Sequence, residues 1–157
     1  MGIIILAVLA GMALPKFINL SKKAKINSDQ YVASALSTAI KTKYFSNIAS
    51  GLDPAAAWPG SNLFSLMEQA PKNATVTSFA QNTNDNVTWR VIVMSGDYDG
   101  IVQIFCPHVT WYANDQGGGI IGSDRGTMWY YLYNRDTWTW GGSRVRGDFF
   151  QGDDAGH

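Results

Sequence analysis

Cysteine is almost absent: the 157 residues contain one, Cys106. An internal disulfide and any multi-cysteine zinc or iron–sulfur site are thereby excluded. Histidine is nearly as scarce, with only His108 and the terminal His157, which leaves a metalloenzyme or a Ser-His-Asp triad little to work with. Charged residues make up 15%, and the 12 Lys plus Arg balance the 12 Asp plus Glu. The broad basic field of a nucleic-acid binder is missing. Gly117-Gly118-Gly119 is not followed by Lys-Ser/Thr, so there is no phosphate-cradling loop, and no Cys-x-x-Cys-His haem attachment occurs. The longest uncharged apolar run, Met1 to Leu14, falls short of the roughly 20 residues that cross a bilayer.

What is present is apolar and aromatic. Apolar residues reach 46% and aromatics 13%, with six Trp. That composition excludes intrinsic disorder and suits one packed, sheet-rich domain. Charge is segregated along the chain: residues 1–50 carry six Lys against the single acid Asp29, and residues 51–157 carry the compensating acidic excess. The two parts are built for different surroundings.

MGIIILAVLAGMAL is uncharged and ends at Pro15-Lys16. Its length fits a signal-peptide h-region of about 7–15 residues, but no basic stretch precedes it. From Phe17 to Ile48 a helical period continues through Phe17, Leu20, Ala24, Tyr31, Val32, Ala35, Leu36, Ala39, Ile40, Tyr44 and Ile48. Gly51 supplies a C-terminal cap and Asp53-Pro54 blocks continuation. The pattern predicts one helix, apolar all round in 1–15 and amphipathic in 16–50. About 49 such residues measure roughly 74 Å. A head of residues 51–157 spans about 35 Å, so half of the helix is expected to protrude, with a kink at Gly11 and Pro15.

The string IIILAVLAGMALPKFINLSKKAKINSDQYVASALSTAIKTKYF resembles the amino-terminal helix of type IV pilins and type II secretion pseudopilins. The likeness lies in Ile4-Ile5-Leu6, Leu9-Ala10-Gly11 and Ala13-Leu14-Pro15 followed by a basic residue and Phe17. It covers the first third of the chain. The family pattern begins with a methylated Phe in a Phe-Thr-Leu-Ile-Glu-like run after removal of a short basic leader. Aligning Pro15 places that run before Met1, and the true start is expected upstream: roughly seven further apolar positions would bring the run to about 21, enough to span a bilayer. The leader motif and the glutamate are not in this sequence.

The resemblance implies an α+β, pilin-like fold: a long amino-terminal helix, half protruding, packed on an antiparallel β-sheet. It implies a structural subunit, not an enzyme, assembled without a cofactor. The expected partners are identical copies in a helical filament, the inner membrane before assembly, the pilus assembly machinery and an unidentified surface ligand. The expected location is an extracellular filament on a bacterial cell surface. The subunit interface is expected at Ile3, Ile4, Ile5, Leu6, Val8, Leu9, Met12, Leu14, Pro15, Phe17 and Leu20. Major pilins, minor pilins and pseudopilins share this pattern. So do fibres for adhesion, motility, DNA uptake, secretion and electron transfer.

In the head, 51–86 reads as a connecting region, with Asn62 to Gln69 as two helical turns and Ala74 to Ala80 as a short strand. Residues 87–140 read as the sheet. Val87 to Ser95 and Ile101 to Cys106 flank Gly96-Asp97-Tyr98-Asp99-Gly100, a hairpin signal. His108 to Ala113, Thr127 to Tyr133 and Thr137 to Trp140 follow as strands, and 141–157 reads as a loop-like tail.

Other chemistry is less supported. Asp97 and Asp99 are calcium-ligand candidates, with Asp115, Asp124, Asp148, Asp153 and Asp154 as further carboxylates. Their spacing fixes no site, and a hairpin turn and a solvated tail account for them better. Cys106-Pro107-His108 reads as a buried thiol at a strand end. The Lys22, Lys23 and Lys25 cluster reads as a solvated helix face. Asn73 and Asn86 stand in glycosylation-type triplets. Trp111, Tyr112, Trp129, Tyr130, Tyr131, Tyr133, Trp138 and Trp140 form a possible sugar-stacking face. The alternative function is therefore a membrane-tethered or secreted carbohydrate-binding domain.

Overall fold

A computed structural model of the chain describes residues 2–76, 87–107, 128–138 and 143–152; in the helix, side chains are described at 20, 23–25 and from 27 onward. The helix, α1, is Gly2–Ala49. Gly51 ends it at φ +89°, and the N–H groups of Gly51 and Leu52 return to the carbonyls of Ile48 and Asn47. A β-carbon is disfavoured at that φ, so glycine is the natural terminator.

Among the described residues a 3-10 turn follows at Leu63–Leu66, and then seven short strands: β1 Asn73–Thr75, β2 Trp89–Val93, β3 Ile101–Phe105, β4 Met128–Leu132, β5 Thr137–Trp138, β6 Arg144–Val145 and β7 Phe149–Gln151, with a second 3-10 turn, Gly96–Tyr98, between β2 and β3. Five of them form one sheet in the order β1-β2-β3-β4-β7, and β5 pairs with β6 apart from it. β2, β3, β4 and β7 are mutually antiparallel neighbours, whereas β1 runs parallel to β2.

Register sorts the sheet into two buried faces, since side chains alternate along each strand. Val91, Ile104 and Trp129 share one row, and Val102 and Tyr131 the next. They pack with Ala33, Leu36 and Ile40 of α1 and with Leu63 and Phe64. On the reverse face, Ile92, Gln103, Tyr130 and Phe150 are in register. Trp138 closes over them: its ring lies 5.1 Å from Tyr130 and 5.9 Å from Phe150. β3 is buried at all five positions, as a central strand covered on both sides must be.

The pilin-like architecture expected from the sequence is corrected here. The helix described with its side chains is essentially the short stretch 23–49, and no helix among the described residues is long and apolar enough to cross a membrane. A long helix half protruding from the head is therefore not what the structure describes. Nor is the sheet purely antiparallel, because β1 pairs with β2 in parallel.

Smaller differences have local causes. The two helical turns expected over Asn62–Gln69 reduce to one 3-10 turn, although Leu63 is buried and Leu66 and Met67 are partly so. The short strand expected at Ala74 to Ala80 is β1, placed at Asn73–Thr75, and positions 77–80 lie outside the described residues. The supposed tail supplies β6 and β7, because Phe150 is drawn into the reverse-face core.

Candidate functional site

In α1 the residues turned to the head are Asp29, Ala33, Leu36 and Ile40, at spacings of four, three and four, all buried. Two further contacts hold the helix in register. Tyr44 stacks on Trp58 with ring centroids 3.9 Å apart. Asn47 Nδ2 donates to the Ala57 carbonyl at 2.8 Å. The inward stripe differs from the predicted one: Leu20, Ala24 and Tyr31 face water, while Ala33 and Asp29 take their place.

The face opposite that stripe is uncovered. Leu20, Tyr31 and Phe45 are 64%, 77% and 65% exposed. Positions 20, 24, 27, 31, 34, 38, 42 and 45 follow one another at three and four, which places them on one side of a helix. None of them is charged, and all are exposed. Three large apolar side chains held on a charge-free helix face are a surface that gains from being covered. An open groove of about 970 Å³ borders the same side, between Ala35 and Ala39 of α1 and residues Ser65–Gln69.

Of the expected interface residues, Leu20 is on this exposed face. The side chains of Ile3, Ile4, Ile5, Leu6, Val8, Leu9, Met12, Leu14, Pro15 and Phe17 lie outside the described residues, and the helix runs as one element through the positions of the expected kink, Gly11 and Pro15. Lys23 and Lys25 are exposed, and the side chain of Lys22 lies outside the description.

The calcium-ligand candidates sit at the β2–β3 connection. Asp97 is exposed within a 3-10 turn, Gly96–Tyr98. Asp99 uses Oδ1 to accept the Gly100 N–H at 2.9 Å. Asp148 Oδ2 accepts the Val145 N–H at 2.9 Å. Asp99 and Asp148 thus brace turns with their carboxylates, and no group of three or more His, Cys, Asp or Glu that could hold a metal ion forms among the described residues. Asp115, Asp124, Asp153 and Asp154 lie outside them.

Cys106 is buried in the helix-side core, and His108 is outside the described residues. Of the aromatics weighed as a sugar-stacking face, Trp129, Tyr130, Tyr131 and Trp138 are buried and Tyr133 partly so; the first three lie on β4, a central strand with packed cores on both sides. Trp111, Tyr112 and Trp140 are outside the described residues, as are the strand expected at His108 to Ala113, Gly117-Gly118-Gly119 and Asn86. Asn73 is exposed on β1 and donates its amide to the Pro71 carbonyl at 2.9 Å.

Sequence reasoning missed a buried polar group on the reverse face. Arg90, Gln103 and Tyr130 are at most 5% exposed. Gln103 Nε2 donates to Tyr130 Oη at 3.0 Å. Burial raises the pKa of Tyr130 above the ordinary phenol value, with the Gln103 bond opposing that rise. Burial lowers that of Arg90, partly offset by the nearby Cys106 thiol. An arginine within the apolar run VTWRVIV was the available signal.

Comparison with known proteins is negative throughout: no protein-family model, curated protein or solved structure matches the chain.

Proposed function

We propose that this chain is a structural subunit of an extracellular, type IV pilus-like helical filament, working by assembly with copies of itself. The observation that carries the reading is the bare side of α1. Leu20, Tyr31 and Phe45 stand 64–77% exposed on a charge-free face, in the same helix as the uncharged residues Gly2 to Leu14. Covering this face with other copies removes apolar surface from water at about 25 cal/mol per Å². Residues Ile3 to Leu14 would rest at the inner membrane before assembly and pack against neighbouring helices after it. The assembly machinery would move them between these two settings. Contacts between unlike surfaces that do not close into a ring generate an open fibre.

The test is electron microscopy of the purified full chain after detergent removal. Ordered fibres, with residues 1–15 protected from protease, are expected. A monodisperse monomer that readily loses residues 1–15 would overturn the reading.

A carbohydrate-binding role retains one observation in its favour. Asp53, Trp58, Tyr133, Asn134 and Arg146 line a pocket of about 360 Å³, where aromatic and hydrogen-bonding groups meet as sugars require. With four of the expected stacking aromatics buried, this reading ranks second. Glycan binding by the monomer, abolished by Trp58→Ala, would restore it to first place.

A further inference from the structure

Two separate regions of the molecule carry exposed charges that form no ion pair among the described residues. Where α1 approaches the head, the described side chains at 20, 23–25, 27 and 28 are all exposed, and the first buried residue is Asp29. Lys23 and Lys25 stand in this stretch with no ion pair among the described residues.

The other region is the end of the head at which α1 stops. A chain of contacts gathers its acids. Asp53 Oδ1 accepts the Ala55 N–H at 2.9 Å. Arg146 reaches the Ala55 carbonyl at 2.8 Å with one nitrogen and the Asp136 carboxylate at 2.8 Å with another. Arg135 donates to the Asp97 and Thr137 carbonyls. Gly100, next to Asp99, lies against the Asn134 backbone. Asp53, Asp97, Asp99 and Asp136 therefore share one end. Arg146 pairs with Asp136 and Arg135 bonds only backbone carbonyls, so the exposed carboxylates of Asp53, Asp97 and Asp99 form no ion pair among the described residues. Lys43 borders the lateral groove together with Glu68, and Lys41 is on the helix flank.

From Lys25 to Asn47 the helix rises roughly 33 Å, so the lysines of one copy cannot meet these aspartates in the same copy. The chain nevertheless has zero formal net charge. We propose that Lys23 and Lys25 of one copy dock on the Asp53, Asp97 and Asp99 end of a second copy. The inference rests on the filament reading and names the surfaces that meet in it. Because the two surfaces differ, each docked copy leaves one of each kind free, and the contact propagates. Opposite charges at a rim set orientation and salt sensitivity more than raw affinity, so the contact fixes how copies are arrayed along the fibre.

The test is zero-length carbodiimide cross-linking of the assembled full-length protein. Isotopically light and heavy chains are mixed to separate inter-chain from intra-chain links. Inter-chain links from Lys23 or Lys25 to Asp53, Asp97 or Asp99 are expected. The double reversal Lys23→Glu with Lys25→Glu should cut fibre yield about tenfold at low salt, and adding Asp97→Lys with Asp99→Lys should restore it. Circular dichroism of each monomer checks that the fold is intact. Fibres without these links, and with yield unchanged by the reversal, would overturn the docking and leave the filament reading standing. The same links found in a closed dimer that forms no fibres would keep the contact and overturn the filament reading.

Discussion

Tyr131, on β4, donates its hydroxyl to the Pro59 carbonyl 2.8 Å away, both residues being buried. This bond ties the loop after α1 to the sheet, 72 residues further along the chain. Tyr131→Phe removes the donor and leaves a buried carbonyl unpaired, at a cost of about 1–3 kcal/mol. Urea denaturation followed by tryptophan fluorescence should show a lower midpoint with an unchanged slope.

The same burial predicts an alkaline limit to stability. Tyr130 and Tyr131 both have pKa values raised above the ordinary value of 10.0, burial being the main cause. Above that value an unfolded tyrosine releases its proton while the folded one keeps it, so the folded state binds more protons and stability falls as pH rises. The contribution is whole below about pH 10 and declines above it. Phenolate absorbance should show two tyrosines that ionise late, together with unfolding. Early ionisation of all seven tyrosines in a still-folded chain would refute this.

Gly147 packs its α-carbon against the Trp58 ring at φ +92°, and an added β-carbon would come within 2.2 Å of the ring. Gly147→Ala combines a left-handed backbone penalty of about 1–2 kcal/mol with overpacking of about 1–3 kcal/mol. The expected result is a clearly lower Tm and a loosened Tyr44–Trp58 stack, visible as a change in near-ultraviolet circular dichroism.

The two faces of α1 should respond in opposite ways. Leu36→Ala, on the buried face, should cost about 2–5 kcal/mol of monomer stability. Tyr31→Ala and Phe45→Ala should stay within about 0.5 kcal/mol of the parent yet reduce fibre yield. Denaturation in parallel with fibre sedimentation separates the effects. Full assembly by the double Tyr31→Ala, Phe45→Ala variant would remove the outward face from the interface.

Cys106 is fully buried, so a bulky thiol reagent should label it only as fast as the head opens, and quickly in denaturant. Rapid labelling of the native chain would contradict its place in the core.

The β2–β3 hairpin was legible in the sequence because every part of its signal is local: two β-rich runs joined by a glycine-bounded turn. The C-terminal end of α1 was legible for the same reason, through Gly51. The phase of its buried stripe was not. Ala33 and Asp29 are poor guides to burial by residue type, and Tyr31 is a misleading one, since what the helix meets is set by strands more than 50 residues away.

From its own residues alone, the chain determined where short-range structure forms: the uncharged run up to Leu14, the helical period after it, the hairpin turn, and the lysine-rich first third against an acidic remainder. Only the tertiary structure decided that β1 joins β2 in parallel and that β7 extends the sheet. It also decided that Trp129, Tyr130, Tyr131 and Trp138 serve as core instead of a binding face, and that Leu20, Tyr31 and Phe45 are left bare. The reason is the range of the forces: dihedral preference and capping act within a few residues, whereas burial depends on which distant segments arrive to exclude water.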